Sequence, residues 1–231
     1  MPMHWAMTKA IQWYYKGLFH PLTIIFAGII VIALIESLNR PEPSRANWIW
    51  LTLEWLLFPL YFLQAALHIV RDPKTTVFEL NLIRSWKTLF LARIAVFLAS
   101  LTIVVVPSSL LLYLKGFQDM IIPLALKGLE YTTIVSIAIL LQSRRGALAF
   151  IITTAIILPS ASLGVISNVP PGQKLGTVES IMLYFVSPIL LHMNSQLLSM
   201  DEHVLWLVTI AISTLLMLGS FIIFIKGELH A

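Results

Sequence analysis

Ionisable side chains inside long apolar stretches are the first candidates for chemistry in this chain. Lys127 and Glu130 stand three positions apart in one such stretch. On a helix this spacing puts both side chains on one face, where they can pair. Because charge is costly in lipid, either the membrane span begins later than the apolar pattern indicates or the pair faces the protein interior. A structural ion pair is favoured over a functional site.

Two glutamates fall near the ends of other apolar stretches. Glu36 and Glu54 each stand close to the expected outer end of a membrane helix. The simpler interpretation is that they reach the surface or pair with Arg40 or Arg45, since a charged group avoids lipid. The alternative is that they line an outer vestibule.

Motifs of known catalytic sites are missing from the sequence. It contains no GxxxxGK[ST] phosphate loop, no HExxH zinc motif and no GxSxG nucleophile elbow. We therefore predict no catalytic residue and no cofactor in this chain, and no ATP hydrolysis by the chain itself.

Residues that bind metals are also sparse. The chain has no cysteine and six histidines, none of which are paired at i,i+4 spacing, so thiol chemistry and cysteine-based metal sites are excluded. The histidines are best explained as interfacial or loop residues. A metal or haem role is the alternative for His192 and His203, which fall on the expected outer face. No metal site is predicted.

The composition shows what must position these residues. Of 231 residues, 58% are hydrophobic and only 11% are charged, whereas soluble domains carry about 25% charged residues. A soluble enzyme and a disordered chain are therefore excluded, and most of the chain belongs in lipid. The net charge of +4 is explained by basic loops at a membrane rather than by binding to nucleic acid.

Six stretches are long and apolar enough to cross a bilayer as helices, which takes about 20 residues. The predicted spans are residues 22–38, 48–70, 89–114, 120–141, 147–166 and 204–225. Their apolar runs are continuous, whereas the strands of a membrane barrel alternate. We therefore predict an all-α polytopic membrane protein with a single transmembrane domain over residues 1–231.

Basic residues indicate the orientation. If the N-terminus is inside, ten of the 15 basic residues fall on the inner side, and this bias predicts that both termini are cytoplasmic. The inner residues are Lys9, Lys16, Arg71, Lys74, Arg84, Lys87, Arg93, Arg144, Arg145 and Lys226. The outer ones are Arg40, Arg45, Lys115, Lys127 and Lys174.

Two further segments have membrane-surface patterns. Residues 1–20 contain basic and polar side chains opposite aromatic and aliphatic ones, which predicts an amphipathic helix in the headgroup plane; a frayed tail is the alternative.

The loop at 167–203 contains an apolar run that is too short to span and is interrupted by Ser187 and Pro188. We expect short re-entrant or interfacial helices there, before the sixth span.

The segment between the second and third spans predicts a short cytoplasmic helix. Thr76 followed by Glu79 matches a capping box, in which each side chain bonds the other residue's amide. The helix is expected to start at Thr76 and to run through Arg84 and Trp86 into the third span. A rigid helix at the membrane surface suits the docking of a soluble partner. The alternative is a capped extension of the third span.

The same segment resembles the region after the second span of type-2 ABC transporter permeases, the ABC-2 type. The resemblance covers residues 1–228 in topology and order. It is carried by Thr76-Val77-Phe78-Glu79-Leu80, Ile83-Arg84-Ser85-Trp86, Leu89-Phe90-Leu91-Ala92-Arg93, Leu140-Leu141-Gln142-Ser143-Arg144-Arg145, Ile156-Ile157-Leu158-Pro159 and Tyr184-Phe185-Val186-Ser187-Pro188.

The resemblance implies a function and partners. Such permeases form the translocation pathway of an exporter in the plasma membrane as dimers, either of one chain or with a sister permease. A separate ABC ATPase subunit, which uses ATP and Mg, docks on the cytoplasmic helix. Carried over to this chain, the coupling contact falls on Thr76, Glu79, Arg84 and Trp86.

Two functions of other classes stay open. An intramembrane lipid-modifying enzyme would need clustered Asp, His or Arg at one bilayer depth, and the sequence shows its acidic residues spread out. A membrane anchor for a soluble complex would need no transport pathway. The transported substrate is not indicated by the sequence.

Overall fold

The chain folds into a bundle of helices in a computed structural model, which describes Thr8 and residues 21–42, 44–71, 73–141 and 144–226. Apart from Thr8, the predicted interfacial helix at residues 1–20 lies outside the described residues. No strand occurs within the described ranges. The all-α prediction is therefore confirmed for this part of the chain.

Within the part of the chain that the structure describes, six helices are long and apolar enough to cross a membrane. In chain order the helices are α1 (Pro21–Leu38), α2 (Ser44–Ile69), α3 (Pro73–Ile83), α4 (Trp86–Leu114), α5 (Gln118–Ala138), α6 (Arg144–Ser167), α7 (Thr177–Val186), α8 (Pro188–Met193) and α9 (Glu202–Lys226). The long ones are α1, α2, α4, α5, α6 and α9. These six helices correspond to the six predicted spans, with the largest difference in bounds at α2, which begins at Ser44 rather than at residue 48.

Helices α2, α4 and α5 form the centre of the bundle. In the most apolar window of α5, 72% of the residues are buried, against 22% in α9. Phe62 of α2 stacks on Tyr131 of α5 with ring centroids 4.2 Å apart, and its edge meets Phe97 of α4 at 5.6 Å. The outer faces of α1, α6 and α9 carry exposed Leu and Ile side chains, as expected for helices that face lipid.

Two long helices each contain a π-helical turn. The turn in α2 covers Leu51–Trp55 and the turn in α6 covers Thr153–Ile157. The second precedes Pro159, which lacks the amide hydrogen needed to continue the regular ladder. The two helices meet beside these turns, where Trp55 Nε1 donates to Ser160 Oγ. Single π-turns inside α-helices often mark functional sites, and the turn in α2 contains Glu54.

The alternation of the six long helices defines two ends of the bundle. Helix α3 lies at one end, here called the α3 end, where Trp86 at the start of α4 packs edge-on against Phe224 near the end of α9, with ring centroids 5.1 Å apart. Helices α7 and α8 lie at the opposite end, the α7 end. There Lys115 Nζ bonds Asn39 Oδ1 at 3.0 Å.

Candidate functional site

A buried arginine fixes helix α3 to the bundle. Arg93 of α4 is 1% exposed, and its Nη2 donates to Glu79 Oε2 at 2.6 Å and to Thr76 Oγ1 at 3.0 Å. Arg71 Nε lies 3.9 Å from the other oxygen of Glu79. Charge-assisted bonds of this kind are the stronger class of hydrogen bond. They hold α3 in one orientation against α4.

These contacts overturn the capping-box prediction. Helix α3 begins at Pro73, a residue favoured in the first turn of helices, so Thr76 and Glu79 lie inside the helix rather than at its start. Both side chains bond Arg93. Of the residues assigned to the coupling contact, these two therefore face the bundle, and their structural effect is to position α3.

The short helix ends at Ile83 rather than running through Arg84 and Trp86 as predicted, and the alternative of a capped extension of the third span is wrong. Arg84 adopts a left-handed conformation with φ of 57°, which interrupts the helix between α3 and α4. Ser85 then caps α4, since its Oγ accepts from the amide of Thr88 at 3.3 Å. Arg84 is exposed and Trp86 is half-buried against Phe224. The break separates α3 from α4 as an independent short helix.

The outward face of α3 is formed by residues that the sequence interpretation did not select. They follow the i, i+3, i+4, i+7, i+8 pattern of one helix face, and all are exposed. This α3 stripe consists of Lys74, Val77, Phe78, Asn81 and Leu82. Its centre is apolar, with Phe78 55% exposed. A soluble partner that meets α3 would therefore meet this stripe rather than Thr76 and Glu79.

A second candidate site is a buried charge cluster made of Glu54, Lys127 and Glu130. Lys127 Nζ lies 2.7 Å from Glu130 Oε2 and 3.8 Å from Glu54 Oε1. Their relative exposures are 0%, 0% and 1% for Glu54, Lys127 and Glu130. Because α5 begins at Gln118, the alternative in which the span starts after Lys127 is wrong. The cluster faces the interior of the bundle.

The position of Glu54 differs from its prediction. We expected it to reach the surface or to pair with Arg40 or Arg45, whereas it is fully buried beside Lys127. The π-helical turn of α2 contains this residue. Glu36, by contrast, is exposed. No local pattern predicts that Glu54 and Lys127 meet, because the two residues are 73 positions apart in the sequence.

The charge cluster holds the break between α7 and α8. Helix α7 ends at Val186, whose carbonyl accepts from Lys127 Nζ at 2.8 Å. Near the start of α8, the amide of Leu190 donates to Glu54 Oε2 at 2.8 Å. Helix ends leave such backbone groups without partners inside the helix. Two members of the cluster therefore satisfy buried backbone groups on either side of Ser187 and Pro188.

Polar atoms without protein partners surround the cluster. Tyr131 Oη and Ser187 Oγ are buried and have no hydrogen-bond partner among the described residues. The Tyr131 ring lies 5.0 Å from Lys127 Nζ, and Ser187 occupies the helix break itself. Buried polar groups in folded proteins are nearly always paired. The region therefore has spare hydrogen-bonding capacity.

A third candidate site lies at the α7 end of the bundle. A cleft of about 290 Å³ is lined there by Glu42, Arg45, Asp119 and His192, with an apolar part formed by Ile49, Phe117, Met120 and Met193. His192 Nε2 lies 3.2 Å from Asp119 Oδ2, and its Nδ1 lies 2.7 Å from Glu202 Oε1. The acidic residues that are spread out along the sequence therefore meet His192 in the folded chain. The residues come from three distant segments.

Helices α7 and α9 support this histidine. Tyr184 Oη donates to Glu202 Oε1 at 2.7 Å, and Trp206 Nε1 donates to Tyr184 Oη at 2.6 Å. Burial, together with the bond to Glu202, raises the pKa of the Tyr184 hydroxyl, so it stays protonated and remains a donor. His203 packs on Trp206 with ring centroids 4.4 Å apart. Within the described ranges, no group of three or more His, Asp and Glu residues is arranged to hold a metal ion.

Comparisons with known proteins give no relative for this chain. No family model, no curated protein and no solved structure matches it. Its resemblance to type-2 ABC permeases therefore depends on the residues and the order of elements described above.

Proposed function

We propose that this chain is the membrane-spanning permease subunit of an ABC-2 type exporter. The observation that carries the proposal is the α3 stripe, an exposed apolar face on a short helix that Arg93 fixes to the bundle. In this proposal a separate ABC ATPase, loaded with ATP and Mg, docks on Val77, Phe78 and Leu82. This contact differs from the one that the resemblance implies, because Thr76 and Glu79 position the helix instead of meeting the ATPase. Arg84 lies at the exposed edge of the contact.

Charge supports the placement of the ATPase. The α3 end carries Arg144 and Arg145 at the start of α6, both exposed, and basic residues accumulate on the cytoplasmic side of membrane proteins. In this proposal α3 and both termini lie in the cytoplasm and the protein belongs to the plasma membrane. The chain has no phosphate loop, and in this proposal the ATPase partner supplies the energy for transport.

The remaining architecture has a role in the same proposal. Helices α7 and α8, of 10 and 6 residues, are too short to span and act as re-entrant helices before the sixth span. The exposed apolar faces of α1, α6 and α9 face lipid and a second permease copy. The translocation pathway then forms between the two permeases.

Co-purification from native membranes tests the docking contact. The chain is isolated with and without Phe78→Glu, and bound proteins are identified by mass spectrometry and by ATPase activity. A nucleotide-hydrolysing subunit is expected with the unaltered chain and at least tenfold less of it with the variant. Gln173→Glu adds the same charge at an exposed position of the α7 end and should leave binding unchanged.

The same experiment, followed by reconstitution of the purified proteins into vesicles, separates the proposal from its rivals. Equal recovery of the ATPase with Phe78→Glu would show that the α3 stripe is not the contact. Recovery of an ATPase without transport in vesicles would favour a membrane anchor. Absence of any ATPase from native preparations would contradict the exporter.

An enzyme acting on lipid is the second candidate, favoured by the cleft at the α7 end. His192 stands between Asp119 and Glu202 there, and a histidine oriented by a carboxylate is a common general acid or base. The apolar part of the cleft suits an acyl chain. Turnover of a lipid by the purified chain, abolished by His192→Gln, would support the enzyme; no turnover in either form would leave the exporter.

A further inference from the structure

The charge cluster carries an unbalanced charge. Glu54 and Glu130 face a single ammonium group, that of Lys127, so the cluster has a net charge of −1 when all three groups are ionised. Among the described residues, no second basic side chain lies within ion-pair distance of either carboxylate. An uncompensated buried charge costs several kcal/mol even after the protein relaxes.

The surroundings of the cluster supply dipoles, including the Leu190 and Ile189 amides that bond Glu54, but among the described residues they supply no second positive charge. Tyr131 of α5 contributes an unpartnered hydroxyl and Ser187 another, both neutral. Tyr184 is the titratable residue of α7 on this side, and its hydroxyl is bonded to Glu202 of α9. In helix α8, the amide of Leu190 already donates a hydrogen bond to Glu54. Only one positive charge therefore faces two carboxylates.

We propose that the cluster is a proton-binding site, in which Glu54 and Glu130 share one proton at neutral pH. With this proton bound, the cluster is neutral, since Lys127 balances the remaining carboxylate. A metal cation does not fit the same place, because Lys127 Nζ occupies the position between the carboxylate oxygens at 2.7 and 3.8 Å. This site goes beyond the proposed function and does not depend on an ATPase.

The bound proton also stabilises the break between α7 and α8. Lys127 bonds the Val186 carbonyl while it pairs with the carboxylates. Loss of the proton leaves two anions that compete for the ammonium, and this draws Lys127 from Val186. Exchange of the proton is therefore linked to loosening of the break around Ser187.

Infrared difference spectroscopy tests the proton directly. The whole purified chain is measured at neutral pH, where a protonated carboxyl group has a carbonyl stretch that an ionised one lacks. The unaltered chain should show this band, and Glu54→Gln and Glu130→Gln should each abolish it, because the one remaining carboxylate is then balanced by Lys127. Lys127→Met should double the band, since both carboxylates must then be neutralised.

Glu79→Gln is the control for the infrared band. Glu79→Gln changes a buried carboxylate that already has Arg93 as partner and should leave the band unchanged. Absence of the band from the unaltered chain would overturn the proposal. Persistence of the band in both Glu54→Gln and Glu130→Gln would also overturn it. Glutamine is the chosen replacement because it keeps an oxygen that can accept a hydrogen bond.

Thiol labelling tests the link to the helix break. The chain has no cysteine, so Ser187→Cys provides a single reporter at a buried position. The labelling rate of this cysteine is measured as the pH is raised, with and without Glu130→Gln. The increase should be several-fold larger in the chain that keeps Glu130. The chain with Glu130→Gln is the control for the higher reactivity of any thiol at high pH. Equal increases in the two chains would contradict the link.

Discussion

Replacing Arg93 is the sharpest test of how α3 is held. Arg93→Met keeps most of the side-chain volume and removes the charge, leaving Glu79, which is 5% exposed, without its 2.6 Å partner. Breaking one member of a buried pair costs about 3–5 kcal/mol. Arg71 lies 3.9 Å from Glu79 and can compensate in part, so we expect a loss near the lower limit, about 3 kcal/mol.

The loss can be assigned by a double-mutant cycle. Arg93→Met, Glu79→Leu and the double variant are unfolded in detergent, and their free energies of unfolding are compared. The double variant should recover most of the loss, because it leaves no buried charge. Partner binding at the α3 stripe should fall in both single variants as α3 loses its orientation. Losses that simply add would refute the pairing as the cause.

Three further predictions concern other parts of the structure. Lys127→Met should lower the free energy of unfolding by about 3–5 kcal/mol because it leaves both adjacent glutamates without a cation; an unchanged value would contradict the burial of the cluster. Arg84→Gly should raise that free energy by up to about 1 kcal/mol because glycine tolerates positive φ, whereas a loss would exclude strain at this corner. Tyr184→Phe should lower it by about 2 kcal/mol through loss of the bond to Glu202, and thermal unfolding that matches the unaltered chain would contradict this.

The membrane spans could be predicted from the sequence because they depend on a local property. Each is a continuous apolar run of sufficient length, and the largest shift, at the start of α2, comes from residues 44–47, where polar and small residues extend the helix beyond the apolar run. The pairing of Lys127 with Glu130 follows from helix geometry, and the structure places their charged atoms 2.7 Å apart.

The candidate sites could not be predicted in the same way because they depend on contacts between distant helices. Glu54 meets Lys127 only after α2 packs near α5, and His192 meets Asp119 only across the α7 end. Thr76 and Glu79 have the spacing of a capping box, but the charged guanidinium of Arg93 donates hydrogen bonds to both side chains. A tertiary contact therefore overrides the local signal that the sequence carries.

Photo-crosslinking from Phe78 can identify what lies against the α3 stripe. A photoreactive amino acid is placed at Phe78 in the α3 stripe and, as a control of similar exposure, at Leu218 of α9; the two side chains are 55% and 52% exposed. After irradiation of native membranes, we expect the probe at Phe78 to capture a nucleotide-binding subunit and the probe at Leu218 to capture lipid or a second permease. Capture of lipid alone from both positions would place the α3 stripe in the membrane and contradict the docking of an ATPase on it.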